Sequence, residues 1–177
     1  MAHAFAAFAV PDAHIHVLQQ HPGLVHDYLD GAVPPSVAAL PLPGGWPQEP
    51  LESLGSWGIN HGNADLYHWI LNGGPELAEG AGSIFQTWYE PDVHAALKLD
   101  PLNERFAFLS TQLPDLLALV DRVDVPRVQH AFVEWLKRRG ERHDDIDQYA
   151  CQPFVDEFQQ FARGLQQAIA RGDGLVW

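Results

Sequence analysis

Asp12, His14 and His16 fall within VPDAHIHVL, residues 10–18. Two imidazoles and a carboxylate at alternate positions can hold a divalent metal and activate a water for hydrolysis, provided the segment is a strand. On a strand, residues i and i+2 share a face. On a helix they point about 200° apart, and paired ligands there are spaced three or four residues. Pro11 suits the first turn of a helix, and Asp12 suits its positive end. The local chemistry therefore predicts a helix from which His14 and His16 diverge, and no metal site.

Length agrees. The chain has 177 residues, enough for one domain and one core, whereas a closed barrel of eight strand-helix units takes roughly 250. The distant carboxylate, lysine and histidine ligands of the amidohydrolases have no recognisable motif here. His61 and His68 lie two helical turns apart, with Asn60, Asn63 and Asp65 around them. They read as helix-capping and loop hydrogen-bonding groups, or as the edge of a polar pocket. No G-x-S-x-G elbow, phosphate loop or H-E-x-x-H pair occurs. Cys151 is the only cysteine, which excludes an intramolecular disulfide and suggests a reducing compartment. It reads as an inert thiol. We expect no catalytic residue, no cofactor and no metal.

Charge is the strongest compositional signal. The formal net charge is −13. Residues 1–97 hold ten carboxylates and neither lysine nor arginine, while residues 98–177 hold thirteen acids against ten bases. Nucleic acid and anionic membrane are poor partners for such a chain, since each requires a basic footprint. A basic protein is the fitting partner, because a one-signed field steers it; alternatively the acidity serves only solubility. Lys137, Arg138, Arg139 and Arg142 form the one basic cluster, at a helix C-terminus where cations favour the dipole. No run reaches the roughly 18 apolar residues of a membrane helix, and AFAAFAV, residues 4–10, is too short for a signal peptide and has no preceding base. A soluble, cytoplasmic protein is expected.

The elements that must position these residues follow from periodicity. AHAFAAFAV reads as a buried strand ending at Pro11, followed by a helix with Ile15 and Leu18 inward and a second short helix closed by Gly31. Residues 31–58 contain Pro34, Pro35, Pro41, Pro43, Pro47 and Pro50 and read as a long irregular segment pinned by Trp46 and Trp57. ADLYHWILNGG is a capped helix ended by Gly73. GAGSIFQTWYE reads as a strand and PDVHAALKL as a helix. Pro114 and Pro126 open two further helices, the second with Val128, Ala131, Phe132, Trp135 and Leu136 on one face. Phe154, Phe158, Phe161, Leu165 and Ile169 recur at helical spacing in the last helix, before a closing strand LVW. The fold class is α+β: a small, mostly helical single domain over 1–177 with a few short strands and a long Pro-rich loop.

Three segments together resemble the YfbM-like family, a bacterial domain of unknown function. They are AFAAFAVPDAHIHVLQQHPGLVHDYL; ADLYHWILNGG, similar to the family's Asp-Lys-x-Trp-x-x-Leu-x-x-x-Leu-x-Gly helix; and IFQTWYEPDVHAALKLDPL with the final FQQFARGLQQAIARGDGLVW. Leu66 stands where lysine is frequent, Trp69 is offset, and the Pro-rich stretch diverges. The resemblance implies an α+β fold and no catalytic residues.

The expected function is a non-catalytic bacterial protein-binding protein; its sharper form is an immunity protein that neutralises a toxin by covering it with an acidic surface. Trp46 and Trp57 are the expected aromatic anchors, with Glu49, Glu52 and Asp65 as the charged surround. The alternatives are a small metal-dependent hydrolase using the His-rich first half, or a structural or regulatory module.

Overall fold

The last strand of the chain is the middle of the sheet. In the computed structural model, β5 (Asp173–Val176) pairs with β1 (Phe5–Pro11) on one side and β4 (Arg105–Phe108) on the other. β2 (Ser53–Trp57) extends the sheet beyond β1, and β3 (Leu97–Asp100) extends it beyond β4. The order is β2-β1-β5-β4-β3, and all pairings are antiparallel. The structure describes residues 5–40, 42–57, 59, 62–88, 96–100, 105–144 and 146–177.

Both faces of this sheet are covered, as the strand sequences require. Ala7, Phe106, Phe108, Leu175 and Trp177 enter one core, while Val10, Ala107 and Val176 enter another. Successive strand residues point to opposite faces, so the two cores are the two sides of one sheet. The larger core is closed by α3 (Ala64–Asn72), α4 (Leu113–Val120), α5 (Val125–Arg139) and α6 (Gln148–Arg171). The smaller is closed by α1 (Asp12–Gln20), α2 (Val25–Leu29) and the segment that follows them.

Local chemistry sets the helix boundaries. Asp124 and Asp147 cap α5 and α6 with their carboxylates, accepting from Arg127 N and from Tyr149 N and Ala150 N. Gly73, Gly140 and Gly172 end α3, α5 and α6 in the left-handed conformation. The Arg127 guanidinium donates to the Ile70 and Leu71 carbonyls, closing the C-terminus of α3 from a neighbouring helix. Asp12 opens α1 and accepts from both Ser110 N (2.8 Å) and Ser110 Oγ (2.6 Å), tying that helix to the turn before α4.

Four sequence expectations need correction. The Pro-rich segment is not irregular to its end: Pro50 is its last proline, and β2 follows. It also contains a 3-10 turn at Pro35–Ala39. The expected strand GAGSIFQTWYE is replaced over residues 80–88 by two 3-10 turns, Gly80–Ser83 and Gln86–Trp88, while residues 89 and 90 lie outside the described residues. Ala81 to Thr87 are buried without alternation, and Ser83 Oγ and Thr87 Oγ1 donate to carbonyls three residues back, which favours turns over a ladder. The expected helix over PDVHAALKL ends as β3, where Leu97 and Leu99 alternate with exposed Lys98; residues 91–95 lie outside the described residues. The last helix begins earlier than its phenylalanine pattern, at Gln148, and runs through Pro153.

α6 is the main prop of the larger core. Phe158, Phe161 and Leu165 are fully buried, while Phe154 is half-buried. Gly164 lets the helix lie against β2, since a Cβ there would come within 2.7 Å of Leu54 Cβ. Phe158 packs edge-on to Phe85 at 5.8 Å. Replacing Phe158 by Ala is expected to lower unfolding free energy by about 3–5 kcal/mol, measured by chemical denaturation. A loss below about 1 kcal/mol would mean this face is not core.

Candidate partner-binding surface

The Pro-rich segment is held to the body at its middle and at its neck. Trp46 is only 8% exposed; its indole N–H donates to the Ala32 carbonyl (2.6 Å) and its ring meets Tyr28 edge-on at 5.2 Å. His14, 5% exposed, bonds with both ring nitrogens: Nε2 to the Pro43 carbonyl (2.7 Å) and Nδ1 to the Tyr28 hydroxyl (2.6 Å). A carbonyl can only accept, so Nε2 carries the proton. In the neutral ring Nδ1 then accepts from the phenol. Burial, with a contribution from Asp173, pushes the Tyr28 phenol above its ordinary range and keeps it a donor. At the neck, Leu51 N donates to the Leu29 carbonyl. Gly31, with φ of +67°, lies so close that a Cβ would overlap the Glu49 backbone.

This pinning leaves a groove of about 400 Å³. Its lining includes Val33, Pro35, Ala38, Leu40, Leu42 and Trp46, and among the described residues none that lines it is charged. Val33 is 55% exposed. Glu49 is exposed near the neck, and so is Asp30, which pairs with His26 at 3.2 Å.

The residues expected to form one surface are dispersed. Trp46 is not an exposed anchor, because its ring is part of the smaller core. Glu52 is exposed but lines a different, polar cleft with Gln160, Arg163, Gln167 and Arg171 beside β2. Asp65 begins α3 on the opposite side of the sheet from Trp46, where its carboxylate accepts from the Trp135 indole (2.9 Å) and from Leu66 N (3.0 Å). Its role there is to join α3 to α5. The backbone of Trp57 lies in β2, and its side chain is outside the described residues. Of these residues, Trp46 lines the groove and Glu49 lies at the neck of the segment, beside Gly31.

Nor do the histidines gather. His14 is buried with both nitrogens engaged, and His16 is exposed, as a helix demands. Among the described residues, no three His, Cys, Asp or Glu side chains are grouped to hold a metal; His61 lies outside them. His68 is buried, bonded through Nε2 to the Glu76 carbonyl, with Asn72 at Nδ1. Cys151 is buried, and burial raises its thiol pKa. The basic cluster is partly engaged: Arg138 lies over the Trp69 ring and Arg139 over Trp135.

Sequence reasoning missed His14 as the tie between α1 and the segment. Its spacing of four from Leu18, on the inward face of the helix, was the available signal. The chain matches no family model, no curated protein and no solved structure.

Two outcomes follow. Tyr28→Phe leaves His14 Nδ1 without its donor and is expected to cost about 1–3 kcal/mol, read by chemical denaturation; an unchanged midpoint would show that the bond does not hold. For His68, burial holds the imidazole pKa below its ordinary value. The unfolded chain therefore binds a proton near pH 6.5 that the folded chain refuses, and stability falls as pH drops below that point, by up to about 1.4 kcal/mol per unit. His68→Gln should reduce the slope of stability against pH between 7 and 5. Equal slopes would remove His68 from the acid response.

Proposed function

We propose that the protein is a non-catalytic bacterial binding protein that engages a basic protein partner, and that it works as an immunity protein covering a toxin. The observation that carries this reading is the charge asymmetry: ten carboxylates and no lysine or arginine over residues 1–97. Ten unit charges of one sign along this stretch contribute a negative field, offset locally where Arg163 and Arg171 share a cleft with Glu52. Such a field accelerates encounter with a basic surface and repels an acidic one. Exposed Glu49, at the neck of a segment held in place by Trp46 and His14, supports the reading, as does exposed Glu52. Asp65 contributes to the field while serving its own structural bond. The proposed YfbM-like relationship supplies no catalytic residue and agrees with a binding role. We place the protein in the cytoplasm on the same reading, since its lone thiol is suited to a reducing compartment.

Steering weakens as the screening length falls from about 10 Å at 0.1 M salt to about 3 Å at 1 M. The association rate with the captured partner is therefore expected to fall steeply across this range. The Glu49→Lys/Glu52→Lys variant should associate about tenfold more slowly at low salt. Stopped-flow mixing measures both. A rate indifferent to salt and to charge reversal would remove the acidic half from the function.

A further inference from the structure

We infer that the groove lined by Val33, Pro35, Ala38, Leu40, Leu42 and Trp46 is a socket for one exposed aliphatic or aromatic side chain of the basic partner, flanked on that partner by lysine or arginine. This deepens the binding role proposed above and rests on it. The roles expected from composition are thereby reversed: Trp46 is the wall of a socket on this chain, and the partner brings the anchor.

Three observations carry it. The first is chemistry: about 400 Å³ of groove lies among described residues that carry no charge, within the range of pockets that take a small ligand or an anchoring side chain. The second is rigidity. The Pro34 carbonyl accepts from Val37 N, the Val37 carbonyl from Leu40 N, and the Leu42 carbonyl from Gly45 N. Pro43 is tied to His14, and Trp46 to Ala32. A socket already ordered loses little conformational entropy when filled, so more of the contact energy appears as affinity. The third is charge complementarity. Exposed Asp30 and Glu49 stand at the two ends of the segment, where Gly31 meets the Glu49 backbone, and residues 1–97 contain no lysine or arginine. Asp30 pairs with His26 at 3.2 Å, and the charges of Asp30 and Asp100 favour the half-buried Arg105 cation of β4. Exposed Glu49 is left to meet a base beside an inserted side chain. A negatively charged or wholly apolar occupant meets the wrong surround.

The probe is an acetylated, amidated pentapeptide of three lysines separated by one leucine and one phenylalanine. Its control replaces the leucine and phenylalanine by serine. Binding is followed through the Trp46 indole N–H resonance, assigned by Trp46→Phe, on wild type and on Ala38→Gln. Ala38 is exposed in the groove, so glutamine fills space there without altering charge; circular dichroism checks the fold. The apolar peptide should bind wild type about tenfold tighter than the serine peptide, and Ala38→Gln should erase most of that difference. Equal, salt-sensitive binding of both peptides would overturn the socket while leaving the acidic-surface reading intact. An advantage that survives Ala38→Gln would place the apolar contact elsewhere and overturn the socket too. Absence of binding by either peptide would overturn both.

Discussion

The bond from His14 Nε2 to the Pro43 carbonyl fixes the part of this molecule on which its function is argued to depend. Proline-rich backbone has few donors of its own and cannot join a ladder, so its carbonyls must be met from outside. Here a buried imidazole on α1 meets one of them, and the Tyr28 phenol on α2 meets the imidazole. Tyr28 in turn backs Trp46, whose indole reaches Ala32. The His14 ring nitrogens, the Tyr28 hydroxyl and the Trp46 indole N–H all have partners, so the cluster is buried without the penalty of about 1–3 kcal/mol for an unsatisfied group. The result is a fixed shape made from sequence with little regular structure.

That fixed shape requires a fixed platform. α1 is seated by Ile15 and Leu18 on the sheet and by Asp12 on Ser110. The sheet is organised around β5, which couples β1 from the start of the chain to β4 from beyond its middle. The smaller core is built on these long-range pairings, through Val10, Ala107 and Val176. The larger core supports the same strands from behind through Phe158, Phe161 and Leu165. The two cores thus share their strands, and loss of either exposes the other.

Much of this was legible in the sequence where a single physical rule dominated. Pro11-Asp12 specified the first helix and separated His14 from His16. Phe158, Phe161 and Leu165 specified the buried face of the last helix, and LVW its closing strand, though not its central place. Reading failed where rules competed. Residues 80–88 are rich in strand-forming side chains, yet hydroxyl-to-carbonyl bonds at Ser83 and Thr87 turn them. Leu97 and Leu99 carry a two-residue period too short to outweigh the helix suggested by Pro91. The candidate surface was legible only as charge. The position of Trp46 in the Pro-rich segment predicts a pin, which the structure has, but not the burial that keeps it from being an exposed anchor, and the structural bond of Asp65 is hidden because its partner, Trp135, lies 70 residues away.

A segment that recognises a partner by shape must hold that shape when alone. The direct measurement is hydrogen exchange, resolved by NMR, at the Trp46 indole N–H and at the backbone amides of Val37, Leu40 and Gly45. The account predicts protection: the indole is buried and bonded to Ala32, and all three amides are bonded within the segment. The indole should exchange as slowly as amides of β5, because both open only when the shared core opens. Exchange of these four groups at the rate of an unstructured peptide would show that the segment is not held, and would contradict the account at its centre.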